Sequence, residues 1–199
     1  YQVRTHIRHP KATLSEDKIQ AGEIDQDYLY WAGDATIYNN QMQMLWGAVD
    51  NTDENNLMRR FGTCLVTYSL EGKPGDDTYM KLISRNDDFN DHTLGYGDTM
   101  WEDEDGHTYL YTTSNYKVAV ARTATHDLSS QWEYYVADPQ GNFSWTTEYP
   151  STQDAEYSTI IPLESGCSMP WVFKKGDTYY MIGQSIWFGR DVLMFRSKH

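Results

Sequence analysis

Short apolar stretches alternate with polar turns along this chain, and the alternation recurs at long intervals. Residues 33–46, 97–111 and 169–182 each contain a short apolar strand, a polar turn and a second strand rich in aromatic residues and methionine. Hairpins that recur at this spacing are typical of a β-propeller, in which each blade carries one copy. No window shows the 3.6-residue period of a helix over three turns. The pattern therefore predicts an all-β fold without a helix.

The spacing of the hairpins also predicts how the domain is divided. We expect a five-bladed β-propeller of which about three blades are present: a first at about 28–86, a second at about 95–150 and an incomplete third at about 166–199. The polar segment 1–27 could close the ring by completing a blade from the other end of the chain. Because three blades do not close a ring, we expect either a fragment or a second chain or segment that completes it.

Composition narrows the possible partners. The 199 residues include 16 Lys and Arg against 29 Asp and Glu, which gives a net charge of −13. This charge repels nucleic acid and anionic membrane surfaces, and no apolar run approaches the ~18 residues that cross a bilayer. The 16 Tyr and 7 Trp supply flat, half-polar rings on which sugars stack, although aromatic residues also fill the cores of β-sheets.

The chain offers few groups for metal or redox chemistry. Cys64 and Cys167 lack the spacing of a metal site, and two buried free thiols are favoured over a disulfide between blades. The acidic stretches 53–54 and 103–105 could hold Ca²⁺ through oxygen ligands. Since neither shows a complete calcium-loop pattern, we expect solvated turns there and predict no cofactor.

The first repeat resembles the opening blade of five-bladed propeller carbohydrate enzymes. It reads Trp-Ala-Gly-Asp at 31–34, followed by an Asn-Asn turn at 39–40 and a second strand that continues through 44–50. Two families are similar: glycoside hydrolase family 43, with its arabinanases and xylosidases, and the propeller family that includes the endo-D-arabinanases. The second family is also similar to the second repeat, at 95–134. The resemblance covers about 28–199 and implies hydrolysis of a polysaccharide that contains pentose or furanose units.

Two positions depart from the family 43 pattern. In that family the acid that opens the first blade is followed by Pro, and here it is followed by Ala35. The proton donor of that family is a Glu in a Glu-Gly-Pro phrase, and the matching phrase here begins with Ser168, which we place among the substrate-binding residues. The resemblance to the endo-D-arabinanase family instead implies an acidic pair, Asp34 and Asp50.

Glycoside hydrolysis needs two carboxyl groups that flank the bond to be cleaved. Asp34 starts a predicted inner strand and Asp50 ends the neighbouring strand, so a hairpin would bring both to one edge of the sheet. Asp98 holds the same position one blade further on. We predict Asp34 as base or nucleophile, Asp50 as acid, and Asp98 as a group that tunes a neighbour by like charge or binds a hydroxyl. Alternatively, each Gly-Asp caps a turn through its side chain.

Other side chains near the expected central channel could bind the sugar. Trp31, Tyr96 and Trp187 flank channel-side positions, where they could stack on sugar rings or pack within the fold. His92 precedes the second repeat and could reach the mouth of the channel as a sugar-binding or acid–base group.

Two functions are consistent with these residues. The chain is either a secreted glycoside hydrolase or a non-catalytic propeller that binds glycan or builds an extracellular assembly. It begins at Tyr1 without a signal peptide, as expected for a mature secreted protein or a fragment. Carboxyl groups that converge across an open pocket at roughly 5–10 Å would favour catalysis, whereas carboxyl groups that point into separate turns would argue against it.

Overall fold

The computed structural model describes residues 9–11, 15, 17–18, 21, 27–90 and 92–198. Within these residues the chain forms three antiparallel sheets, each from one continuous stretch of sequence, with consecutive strands side by side. The all-β prediction is confirmed at this level. The five-blade count stays a prediction, and closure of the ring by segment 1–27 depends mostly on residues outside those described.

The elements have the following bounds. Sheet one contains β1 (Tyr28–Tyr38), β2 (Gln41–Asp50), β3 (Arg59–Leu70) and β4 (Tyr79–Asn90). Sheet two contains β5 (Thr99–Glu102), β6 (Thr108–Ser114), β7 (Lys117–Thr123), β8 (Trp132–Ala137) and β9 (Phe143–Thr146). A short helix, α1 (Thr152–Tyr157), precedes sheet three, which contains β10 (Ser168–Lys175), β11 (Thr178–Gln184) and β12 (Val192–Ser197).

Sheet one begins earlier than the sequence predicts. β1 starts at Tyr28, before the predicted strand that begins at Asp34, and it carries a bulge between Ala32 and Ala35. At its end, both asparagines of the turn at 39–40 adopt positive φ, 48° and 58°, as expected for an Asn-Asn pair in a tight hairpin. The early start of β1 places Asp34 within the strand rather than at its end.

Two apolar layers join the three sheets. Leu45 of sheet one belongs to the same buried cluster as Leu110 and Trp132 of sheet two. On the other face of sheet two, Val118 packs in a second cluster with Val172 of sheet three. The first strand of sheet two, β5, contacts β1 on one side and β10 on the other. The first strands of the three sheets are therefore neighbours, and the acidic motifs lie on or beside them.

The structure contains a helix that the sequence pattern does not predict. The six residues of α1 are too few to show a helical period over three turns. Its start has a recognisable signal, because Ser151 accepts a hydrogen bond from the backbone N–H of Asp154 and the Asp154 carboxylate accepts one from the backbone of Ser151. This is a capping box, with Asp in place of the usual Glu or Gln. No helix in the described parts of the chain is long and apolar enough to cross a membrane.

The two cysteines are buried free thiols, as the sequence predicts. Cys64 lies in β3 and Cys167 directly precedes β10. Burial raises the pKa of each thiol to about 11. Both are therefore protonated at neutral pH and poorly nucleophilic.

One face of sheet three is open to solvent. Trp171 of β10 and both Val192 and Met194 of β12 are exposed on this face. Beside them, Phe173 and Tyr180 stack with ring centroids 5.3 Å apart and an interplanar angle of 13°. We call this surface the outer face of sheet three. It presents apolar and aromatic side chains of the kind that elsewhere in this protein pack between sheets.

Candidate functional site

The first two repeats meet along a seam between β1 and β5. The backbone N–H of Asp34 donates to the carbonyl oxygen of Gly97 at 2.9 Å. The Asp34 carboxylate accepts hydrogen bonds from the backbone N–H of Ala35 through Oδ1 and of Met100 through Oδ2, both at 2.8 Å. Asp34 therefore bridges sheets one and two with a half-buried carboxylate whose two oxygens are oriented by main-chain donors.

The seam requires glycine at position 33. A Cβ atom on Gly33 would lie 2.7 Å from the carbonyl oxygen of Gly97 and 2.9 Å from that of Leu45. Both contacts are with main chain, which cannot move aside as a flexible side chain can. The Gly-Asp phrase thus has two structural parts: glycine permits the close approach of the sheets, and aspartate joins them.

The second Gly-Asp phrase places an ion pair at the same seam. Oδ1 of Asp98 lies 2.8 Å from Nη1 of Arg60, and both side chains are partly exposed. The guanidinium fits between two glycines, because a Cβ on Gly95 would lie 1.5 Å from Nη1 and a Cβ on Gly47 would lie 2.3 Å from Nη2. Sequence reasoning missed Arg60, since no local motif links it to glycines in two other segments.

Asp50 does not join Asp34, contrary to the predicted pairing. In the β1–β2 ladder Asp50 lies opposite Tyr28, whereas Asp34 lies in the bulge near Leu45. Five residues of strand separate Leu45 from Asp50, which corresponds to about 17 Å. The prediction was wrong because β1 starts at Tyr28, so Asp34 is not at the end of the strand that faces Asp50.

The surroundings of Asp50 favour its ionised form at neutral pH over its predicted role as proton donor. Its carboxylate accepts hydrogen bonds from the hydroxyl and the backbone N–H of Thr52, at 2.6 and 2.8 Å, and pairs with Arg59 at 2.8 Å. These partners, Thr52 first, lower the pKa of Asp50 from 3.8 to about 2. A carboxyl group with this pKa is ionised at neutral pH and stabilises the end of the hairpin.

Replacing Asp50 with Asn should therefore destabilise the protein in a pH-dependent way. A carboxyl group whose pKa is lower in the folded state stabilises that state above its unfolded pKa, and this contribution is lost as the pH falls through the folded pKa. We expect Asp50→Asn to have the lower melting temperature at pH 7, and the difference from the original protein to vanish between about pH 4 and pH 2. Thermal melts across this range test it, with the exposed loop variant Asp77→Asn as control. A difference that does not change with pH would contradict the ion-pair account.

Two predicted sugar-binding residues are buried. Tyr96 is 2% exposed and packs against Tyr134 and Tyr149 in the core between sheets one and two. Ser168, the first residue of β10, is 8% exposed. Neither side chain can stack on or bind a sugar in this structure. The alternation of apolar and polar residues along the chain does not reveal this burial, because it results from the packing of one sheet against another.

The other predicted binding residues are accessible to different degrees. Trp31 on β1 is 39% exposed, and Trp187 in the loop before β12 is 46% exposed. Trp187 stacks on Phe188 at 4.9 Å. His92 is half-buried and stacks on Tyr149 with ring centroids 3.5 Å apart. Sugar binding by Trp31, Trp187 and His92 stays a prediction.

The acidic turns considered for calcium have local partners. Asp53 accepts from the backbone of Asn55 at 2.9 Å, and Asp105 accepts from the backbone of His107 at 3.0 Å. Asp103 accepts from the indole of Trp101 and from the hydroxyl of Tyr179, which joins sheet two to sheet three. Over the described ranges no three His, Cys, Asp or Glu side chains are grouped as a metal site would need. The sequence-based expectation of solvated turns without a cofactor stays a prediction.

The sheets and the seam define an all-β protein in which acidic groups lie where successive sheets meet. The chain belongs to the family described as "Domain of unknown function (DUF5005)", whose model matches residues 1–199. It is also similar to a candidate hydrolase from Bacteroides ovatus ATCC 8483 of known crystal structure, with 93% identity over 100% of this chain and a TM-score of 0.94. The chain spans 49% of the length of that protein.

More distant similarities are to glycoside hydrolase family 43 enzymes. One is CoXyl43, a β-xylosidase/α-arabinofuranosidase from a compost microbial metagenome, solved with xylotriose: 10% identity, 87% of this chain, 75% of that chain and a TM-score of 0.36. Another is a GH43_1 enzyme from Xanthomonas citri: 9% identity, 87% of this chain, 72% of that chain and a TM-score of 0.36. Similarity at this level identifies neither fold nor activity. No curated protein matches the chain.

Proposed function

We propose that this chain is part of a carbohydrate-active β-propeller of the glycoside hydrolase type. The observation that carries the proposal is the main-chain hydrogen bond from Asp34 to Gly97, the residue before Asp98, at the β1–β5 seam, beside the Asp98–Arg60 pair. Two successive repeats thus each contribute an acid beside this seam, and glycoside hydrolysis needs two carboxyl groups. The 93% identity to a candidate hydrolase is consistent with the proposal.

Asp34 is the proposed base or nucleophile. Main-chain donors orient both of its oxygens, and a carboxylate can still accept further hydrogen bonds. Asp98 and Arg60 offer adjacent acceptor and donor groups, which suits them to bind neighbouring sugar hydroxyls. Asp50 takes no part, so we place the proton donor outside these 199 residues, in a segment equivalent to the remaining half of the longer solved relative.

The proposed substrate is an extracellular polysaccharide that contains pentose or furanose units. Support comes from the resemblance of residues 31–50 and 95–134 to propeller arabinanases and xylosidases. The excess of acidic side chains favours a neutral glycan over an anionic one.

A non-catalytic role in glycan binding or extracellular assembly is the alternative. The specific observations that favour it are the ion pairs of Asp50 with Arg59 and of Asp98 with Arg60. Both pairs engage carboxylates that the sequence predicts for the catalytic site. In this case the seam acids stabilise the contact between sheets rather than react.

Release of reducing sugar separates the two functions. The 199-residue chain and the longer solved relative from Bacteroides ovatus are incubated with arabinans, xylans and galactans, and new reducing ends are measured. Hydrolysis of one class of polysaccharide by the longer relative is the expected result. Binding without hydrolysis in every case would overturn the catalytic proposal in favour of the alternative.

The proposal also assigns a partner to the outer face of sheet three. The longer solved relative contains about as many residues again as this chain, since the chain spans 49% of it. A further antiparallel sheet of that protein is the proposed occupant, because sheet two packs on both of its neighbours through similar apolar faces. Such a sheet would continue the series toward a closed propeller.

Thiol labelling tests this packing. Met194 is 66% exposed on the outer face, and both native thiols are buried with a pKa of about 11, which keeps the background low. We expect Met194→Cys to react with a maleimide in the 199-residue chain. The equivalent cysteine variant of the longer solved relative should be protected from the reagent. Leu163→Cys, in an exposed loop, is the matched control. Equal labelling of Met194→Cys in both proteins would refute the proposed partner.

A further inference from the structure

We propose that a further β-strand pairs with the open edge of β12 and fills the cleft between sheets two and three. This strand comes from outside these 199 residues, in a segment equivalent to part of the remaining half of the longer solved relative. The sheet proposed as partner of the outer face of sheet three would pack on the opposite side of β12. Neither hydrolysis nor glycan binding is needed for the strand to pair.

The edge of β12 presents unused backbone groups. Sheet three has three strands, whereas sheet one has four and sheet two has five. In the described part of the chain, β11 is the only strand that pairs with β12. Because alternate residues of an antiparallel strand bond to opposite neighbours, about half of the backbone groups of β12 point away from β11.

The outer strands of the other two sheets are protected against further pairing, and β12 is not. The ladder between β3 and β4, the outer strand of sheet one, has three shifts of register. The outer strand of sheet two, β9, has only four residues. Irregular and short edges are common ways to prevent unwanted pairing. By contrast, β12 pairs with β11 over six residues without a shift and exposes Val192 and Met194.

The cleft lies where the next strand of sheet three would run. Its volume is about 750 Å³, and it is bordered by residues 195–198 on one side and by residues of β8 and β9 on the other. β8 and β9 are the fourth and fifth strands of sheet two, whereas β12 is the third strand of sheet three. Since neighbouring strands lie about 5 Å apart, a fourth strand beside β12 would face the outer strands of sheet two.

Aromatic side chains on this wall of the cleft are incompletely packed. Tyr135 lies between Phe143 and Trp145, with ring centroids 4.9 and 4.8 Å apart. Phe143 is 39% exposed, but Trp132 and Tyr134, on the opposite face of β8, are each 7% exposed. Protein interiors contain few voids larger than a water molecule. An apolar strand in the cleft would complete the packing of these rings.

The edge and the cleft together define the chemistry of the strand. It runs antiparallel to β12, as do all neighbouring strands in the three sheets. Its alternate side chains enter the cleft and are apolar, because they would meet Phe195 of β12 and Trp145 of β9. An acidic residue opposite the exposed Arg196 would add a favourable cross-strand pair.

Hydrogen exchange of backbone amides tests the pairing in the 199-residue chain and in the longer solved relative. In the 199-residue chain, about half of the amides of β12 should exchange rapidly. In the longer relative they should exchange about tenfold or more slowly, because an amide bonded between two strands exchanges only when a strand opens. The amides of β2, within sheet one, and of β9 are controls for a general change in stability and should exchange alike in both proteins.

Thiol labelling tests whether the same strand fills the cleft. Phe143→Cys should react with a maleimide in the 199-residue chain, and the equivalent variant of the longer relative should be protected. Ser144→Cys is the matched control, because Ser144 is exposed on the opposite face of β9 and should be labelled in both proteins. Thermal melts confirm that each variant is folded.

Only slower exchange of β12 together with protection of Phe143→Cys supports the proposal. Equal exchange of β12 in the two proteins overturns the pairing, even if the cleft is protected. Slower exchange with equal labelling places a strand on the edge but outside the cleft, which overturns the proposal as well. Slow exchange in the 199-residue chain, with a dimer in sedimentation, would assign the edge to a second copy instead. Both measurements are independent of hydrolysis, so this inference and the proposed function can fail separately.

Discussion

In the longer solved relative, replacing the equivalent of Asp34 with asparagine is expected to reduce the rate of glycan hydrolysis by about a hundredfold or more. This is the usual contribution of an essential acid–base group. The substitution preserves size but removes the charge and one acceptor oxygen. Since the two oxygens of Asp34 accept from Ala35 and Met100 separately, one of these N–H groups would face an amide that also donates. We therefore expect a loss of stability as well, of about 1–3 kcal/mol.

Rates and melting temperatures must be measured together to separate these effects. Assays well below the melting temperature of the variant ensure that lost activity reflects lost chemistry. Asp88→Asn makes the same chemical change on an exposed part of β4 and should alter neither quantity. A variant at Asp34 that melts earlier but hydrolyses at the original rate would assign the residue to sheet packing alone.

Replacing Gly33 with alanine is expected to lower the free energy of unfolding by about 3 kcal/mol, the upper part of the usual range for an extra methyl group in a packed site. The new Cβ would meet the carbonyl oxygens of Gly97 and Leu45 at 2.7 and 2.9 Å. To relieve this clash, β1 would have to move away from β5. That movement would stretch the hydrogen bonds that join Asp34 to Gly97 and Met100.

Denaturant unfolding measures this effect directly. Ala32→Ser, one residue earlier on the exposed side of β1, controls for substitution within the strand and should change stability by less than about 0.5 kcal/mol. If Gly33→Ala unfolds at the original denaturant concentration, the approach of the two strands is looser than the described geometry and the seam is not a fixed site.

Local features of the fold could be predicted from the sequence. The Asn-Asn turn at 39–40 has positive φ at both residues, and the hairpin predicted at 97–111 contains β5 and the first residues of β6. Adjacent residues determine such features, since turn geometry and strand periodicity depend on side chains a few positions apart. The capping box of α1 was equally local, but its helix was too short for a search by period.

The candidate site was only partly predictable. The repeated Gly-Asp placed Asp34 and Asp98 at equivalent positions, and the structure brings both to the β1–β5 seam. Asp50 was wrongly paired with Asp34 because β1 starts at Tyr28, before the predicted start of the strand at Asp34. Arg60 depends on a space left by Gly47 and Gly95, two glycines in different segments, and no pattern along the chain records that space.

The sequence by itself determined the β character of the chain, its hairpin repeat, its acidic charge and the two Gly-Asp positions, because these depend on residue identity and short-range periodicity. Only the tertiary structure decided that Asp34 joins sheets one and two away from Asp50, that Tyr96 and Ser168 are buried, and that aromatic rings line a cleft between sheets two and three. Those outcomes depend on the register of the strands and on which faces pack together. A shift of one residue in register reverses the face on which every side chain of a strand lies.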